Sequence, residues 1–169
     1  MLYEILLLVI VTFIPGLELR ASIPFGIWDR PLQLPFGYVI NGLGMDPFIV
    51  FTACVVANIL LGELVFFGLN YLLPYVLKIG LLKKVYEKCV RRIQRKAKPH
   101  IEKYGPLELA LFIGIPFPGT GVYSGALLAF LLGFRKRDFS VANVLGVLMA
   151  GITVTLITVG ALGAFSFLL

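Results

Sequence analysis

Two acids and one guanidinium stand where the sequence around them is almost wholly apolar. Glu18 and Arg20 follow Pro15-Gly16 at a spacing of two, and Glu63 lies some sixteen residues into the apolar run that opens at Pro47. An ionised group near the centre of a bilayer costs roughly 3 kcal/mol or more unless it is paired or hydrated, so such residues need a reason to be there. Glu18 and Glu63 have the chemistry of protonatable carboxylates, and Arg20 that of an anion-binding or counter-charge residue. The plainer reading is a structural ion pair that closes a turn of the chain. Arg20 is the basic residue available to bridge Glu18 and Glu63, while a strong tilt would carry Glu63 towards the membrane interface. Glu4 and Glu108 stand nearer the ends of apolar segments and read as interfacial.

The same inventory excludes several chemistries. His100 is the only histidine, and it follows Pro99 in a basic stretch, so no histidine is available for a metal site or a catalytic triad in the apolar part. Cys54 lies in an apolar run and Cys89 in a basic one, which gives no disulfide framework. Nothing matches G-x-x-x-x-G-K-[ST], so no nucleotide site is expected. Ser22, Ser124, Glu18 and Glu63 have no catalytic spacing. The expectation is a protein with no metal, no cofactor and no enzymatic activity.

Composition places these residues in lipid. Of 169 residues, 59% are hydrophobic and 14% charged, with mean hydropathy +0.97. A soluble domain carries about 25% charged residues, so a water-soluble globule is excluded. The segment Leu2 to Ile14 lacks a basic start and a cleavage site and is expected to stay attached.

The net charge of +6 is concentrated, because residues 78 to 104 hold ten Lys/Arg against Glu87 and Glu102. Basic loops of this kind stay in the cytoplasm, and the block is a topology signal here rather than a nucleic-acid site. Leu82, Val85, Tyr86, Cys89, Ile93 and Ala97 recur at helical spacing. Lys83, Lys84, Lys88, Arg91, Arg92 and Arg95 fall largely off that stripe, the pattern of an amphipathic helix whose cations contact lipid head groups. A second cluster, Arg135-Lys136-Arg137, is expected on the same side.

Between the two clusters, Gly105 to Phe134 is apolar for about 30 residues, too few for two spans at ~20 each. With both ends cytoplasmic, a re-entrant hairpin fits, its tip at Pro116, Pro118, Gly119, Thr120 and Gly121, where prolines and glycines interrupt helix. The first half repeats the plan in the opposite orientation, with a tip at Pro15, Gly16 and Pro24, a loop through Trp28 and Pro35, then Asp46-Pro47 opening a spanning helix. Asp138 is expected to cap the last run. Val56-Ala57-Asn58-Ile59-Leu60 echoes Val141-Ala142-Asn143-Val144-Leu145. The expected fold is therefore an all-α integral membrane protein. It is an inverted repeat of two re-entrant hairpins whose kinked tips meet near the midplane, each followed by a transmembrane helix, with boundaries at 1–77, 78–104 and 105–169. Gly121, Gly125, Ala129 and Gly133, with Ala142, Gly146 and Ala150, are spaced by four for close helix packing.

The segments P-G-x-E-L-R-x-S-I-P from Pro15 to Pro24 and P-F-P-G-T-G-x-Y-S-G from Pro116 to Gly125 resemble the family of small multidrug export proteins over most of the chain. In architecture the chain also looks like a distant relative of the DedA and VTT-domain membrane proteins. The wider resemblance implies paired re-entrant hairpins and transport or scrambling of lipids. Bacterial DedA proteins carry further acidic and arginine residues in the second hairpin, where this chain has none at the tip. The leading expectation is a transporter of an amphipathic or lipid-like molecule in a prokaryotic inner membrane, with possible proton coupling and a site between the hairpins. The alternatives are a flippase or scramblase for lipids or lipid phosphates, and a non-transporting scaffold. Membrane lipids are expected partners and nucleic acid is not. Two hairpins fall short of enclosing a full path, which points to a homodimer.

Overall fold

The computed structural model describes residues 2–29, 31–33, 39–76, 105–115, 117 and 120–167. Six helices are present among them: α1 Leu2–Phe13, α2 Glu18–Ile27, α3 Pro47–Val76, α4 Gly105–Gly114, α5 Val122–Leu132 and α6 Lys136–Phe167. A short antiparallel ribbon, β1 Pro31–Gln33 and β2 Val39–Asn41, interrupts the helical pattern, with Leu32 opposite Ile40. The helical expectation holds, with this ribbon as an addition.

Helix lengths divide into two classes. The apolar stretches Pro47–Tyr71 and Lys136–Ala161, in α3 and α6, are long enough to cross a membrane, whereas α1, α2, α4 and α5 have 12, 10, 10 and 11 residues. At 1.5 Å per residue the shorter helices reach ~15–18 Å, about half of a ~30 Å hydrocarbon core. On α3, Val56, Leu60, Leu64, Phe67 and Tyr71 stay exposed in one stripe, and on α6 Val141, Leu145, Met149, Ile152 and Leu156 do the same. Stripes of that kind suit acyl chains and would be a liability in water.

The helix ends follow local chemistry. Asp46 caps α3, its Oδ1 accepting from the amides of Phe48 at 2.9 Å and Ile49 at 3.2 Å, with Pro47 at the first helical position. Asp138, expected as a cap, instead lies in the first turn of α6, which starts at Lys136. There its carboxylate acts on the positive end of the helix dipole. Gly133 ends α5 at φ 73°, and the amide of Phe134 donates back to Ala129 O at 3.0 Å.

The chain forms two compact units, Met1–Asn58 with Leu148–Leu169, and Ile59–Val147. Each holds one pair of short helices and one part of each long helix. In the first unit α1 packs on α2, and Gly26 admits Val50 and Leu8 where a methyl group would clash. The amides of Leu43, Gly44 and Met45 donate to Phe25, Trp28 and Gly26, closing carbonyls at the end of α2. In the second unit, Ile113 of α4 is the side chain that a Cβ on either Gly125 of α5 or Gly146 of α6 would strike. Buried Ala126, Ala129 and Ala142 complete this small-residue packing.

Candidate functional site

In the second unit the acid of interest is Glu63. It lies on α3, roughly 12 Å along the axis before Tyr71, within the apolar stretch that is long enough to span. The Ser140 hydroxyl donates to Glu63 Oε2 at 3.0 Å. The Asn143 amide nitrogen donates to Ile59 O at 3.0 Å and reaches Glu63 Oε1 at 3.4 Å. These neutral groups of α6 hold the carboxylate. Gly62 makes this approach feasible, since a methyl group there would stand 2.5 Å from Asn143 Nδ2 and 2.7 Å from its Cγ. Below the cluster, Phe66 and Phe139 stack with centroids 4.2 Å apart, and Lys136 Nζ lies 4.0 Å from the centre of the Phe67 ring.

Asn143 is fully buried, yet its Oδ1 has no hydrogen-bond partner. The matching residue of the repeated pentapeptide, Asn58, is buried too and also leaves Oδ1 unpartnered. An orphaned buried acceptor forfeits about 1–3 kcal/mol, so the recurrence of the same defect at both Asn residues singles them out. The repeat carried a signal for Asn143; nothing in the sequence marked Ser140 as Glu63's donor.

In the first unit the break between α1 and α2 spans Ile14 to Leu17, where Pro15 supplies no amide and Gly16 takes φ 86°. The amides of Leu17 and Glu18 both return to Ile14 O. Glu18 then opens α2, buried at 5% exposure and at φ 49°, a left-handed conformation that is rare for a non-glycine residue. Arg20 is half-buried in the same turn, close enough to Glu18 for direct electrostatic attraction. Both charges thus sit on helix and not in an unwound segment. Pro24, expected at the tip, lies inside α2, where its ring withholds a donor from the carbonyl of Arg20.

One turn beyond Glu18, three fully buried polar side chains meet. Thr12 Oγ1 is 2.7 Å from both Leu8 O and Ser22 Oγ, Ser22 Oγ is 3.2 Å from Glu18 O, and the Cys54 thiol is within reach of both hydroxyls. The three protons suffice for one directed chain, Cys54 to Thr12 to Ser22 to Glu18 O, which ties α1, α2 and α3 together without an unmet donor. Sequence reading missed this node, whose members are single small residues in apolar runs.

At the second break, Thr120 Oγ1 lies 2.7 Å from Ile115 O and 2.8 Å from Phe117 O, closing carbonyls past the end of α4, while buried Gly121 takes φ 124°. Pro116, Pro118 and Gly119 lie outside the described residues. So do Lys83, Lys84, Lys88, Arg91, Arg92 and Arg95 of the expected lipid-contact face. Among the described residues no group of His, Cys, Asp and Glu is arranged to hold a metal ion.

Two long apolar helices with lipid-suited outer stripes, four half-length helices, and a carboxylate within an apolar span suit a helical membrane protein. Residues 18–153 match the family described as "Putative small multi-drug export protein", and the chain belongs to that family. Neither a curated protein nor a solved structure matches it.

Proposed function

We propose that the protein is an ion-coupled exporter of amphipathic small molecules. The carrying observation is Glu63, an acid inside an apolar span held by the neutral donors Ser140 and Asn143. A carboxylate in that setting is costly to keep unless it takes a partner ion, and so can couple an ion gradient to a change of conformation. Glu18 and Arg20 form the second charged locus, with Arg20 as the anion-binding or counter-charge residue. The family description supports export as the direction of movement.

In this reading α1–α2 and α4–α5 are re-entrant pairs of opposite orientation, set in the inner membrane of a prokaryote with residues 78–104 and 135–137 on the cytoplasmic side. Their half-membrane length and the occurrence of one short pair in each compact unit support it. The architecture agrees with a distant relationship to the DedA and VTT-domain proteins, and the half-buried guanidinium of Arg20 keeps a lipid-phosphate flippase as the second reading.

Proteoliposomes loaded with a fluorescent amphipathic dye test the proposal. Efflux driven by an imposed pH or cation gradient, and lowered at least about tenfold by Glu63→Gln, is the expected result; a tenfold loss corresponds to ~1.4 kcal/mol. Gradient-independent movement of a fluorescent phospholipid instead favours the flippase. Movement of neither probe leaves a scaffold, and flux indifferent to Glu63→Gln removes the coupling role.

A further inference from the structure

We infer that Glu63, Ser140 and Asn143 form a binding site for a monovalent cation of the size of Na+, which exchanges with a proton on Glu63. The inference rests on the reading of Glu63 as the coupling acid and names the ion it takes.

With Glu63 ionised, the cluster carries one negative charge and an excess of acceptors. The two carboxylate oxygens each take one donor, from Ser140 O–H and Asn143 N–H, the other Asn143 N–H goes to Ile59 O, and Asn143 Oδ1 is left with none. The deficit falls on Asn143 Oδ1, an oxygen of a fully buried side chain that packs against Gly62, next to Glu63 in the chain, while the nitrogen of the same amide reaches the carboxylate. What the cluster lacks is positive charge presented to oxygen. A hard monovalent cation supplies it, since carboxylate, hydroxyl, amide and main-chain oxygens are its natural ligands. A divalent ion would leave excess charge in lipid with a single carboxylate present.

A proton is the competing ligand. The exchange is balanced as Glu63–COOH + Na+ giving Glu63–COO−·Na+ + H+, so protons and the cation compete for the same carboxylate. Among the described residues of this unit the other charges are Arg135 just before α6, Lys136, Arg137 and Asp138 in its first turn, and Glu108 on α4. Of these, Lys136 is engaged with the Phe67 ring.

Thermal unfolding of the purified full chain in detergent, at constant ionic strength with NaCl replacing choline chloride, reads binding without any transported substrate. The expected result at about pH 8 is a saturable rise of ~2–4 °C in Na+ that choline does not give, with half-saturation moving to higher Na+ as the pH is lowered. Ser140→Ala weakens the affinity, and Glu63→Gln, which keeps an acceptor for Ser140, abolishes the shift. Should Glu63→Gln fail to fold, Glu63→Asp is expected to fold and to bind Na+ more weakly. An equal response to Na+ and choline, or a Na+ response unchanged by these substitutions, overturns the inference. Coupled dye efflux that persists under that outcome leaves the exporter standing with a proton as its ion.

Discussion

Gly62 and Asn143 meet across α3 and α6 with no room for a methyl group between them: a Cβ on residue 62 would lie 2.5 Å from the amide nitrogen of Asn143. The amide is held there by Ile59 O, so it cannot retreat without giving up that bond. Gly62→Ala is therefore expected to cost about 1–3 kcal/mol, the range for overpacking a filled interior, and to release Glu63 from its Asn143 contact. Gly68, on the same helix with nothing near its missing Cβ, is the control. Gly68→Ala should be neutral or stabilising by about 0.5–1 kcal/mol. Unfolding of both variants in mixed micelles checks the contrast, and equal effects would show that the contact is not tight.

Glu18 offers a second test, this one of the backbone. Its φ of 49° is ordinary for glycine and costs an L-residue about 1–2 kcal/mol. Inside a regular helix alanine is more stabilising than glycine. At this position the order should reverse, with Glu18→Gly more stable than Glu18→Ala by about 1 kcal/mol. If alanine proves the more stable, the left-handed turn at the start of α2 is wrong. Flux separates the carboxylate from the strain, because Glu18→Gln keeps the shape and loses the charge.

The node of Thr12, Ser22 and Cys54 predicts non-additivity. Removing one hydroxyl orphans its neighbour, whereas removing both leaves little unmet. Ser22→Ala and Thr12→Val should each be destabilising by about 0.5–1.5 kcal/mol, with a coupling of about 0.6 kcal/mol, as is usual for interhelical hydrogen bonds in bilayers. A double-mutant cycle on thermal unfolding measures it, and strict additivity would dissolve the proposed chain of protons.

Those residues also show what could be read in advance. Pro15-Gly16 and Asp46-Pro47 were legible because each acts through its own backbone, as a breaker or as a cap, whatever surrounds it. Pro24 misled because a proline in the second turn of a short helix can be tolerated when packing around it is firm, as Leu19, Ser22, Ile23 and Gly26 are all buried. The charged residues Glu18, Arg20 and Glu63 stood out against the apolar runs. Their partners did not, because Ser140 is 77 residues from Glu63 and Cys54 is 32 from Ser22, and no local pattern records pairing over such distances. The β1–β2 ribbon was hidden in the same way, its three-residue strands being too short to show an alternation.

The orientation of the short helix pairs is open to chemical labelling. In a variant whose Cys89 is replaced, single cysteines are introduced at Gly105, Arg135 and Asp29, and intact cells are exposed to a thiol reagent that does not cross membranes. Native Cys54 is fully buried and should not react while the protein is folded. Gly105 and Arg135 bracket α4 and α5, whose 10 and 11 residues are each too short to span. If the pair re-enters, both sites lie on the cytoplasmic face and label only after the cells are opened, whereas Asp29 labels from outside. Gly105 tolerates the change spatially, having nothing within 4 Å of its missing Cβ, although its φ of 51° adds a backbone cost. Labelling of Gly105 and Arg135 from opposite faces would mean that the chain crosses between them, and α4–α5 could then not be a re-entrant pair.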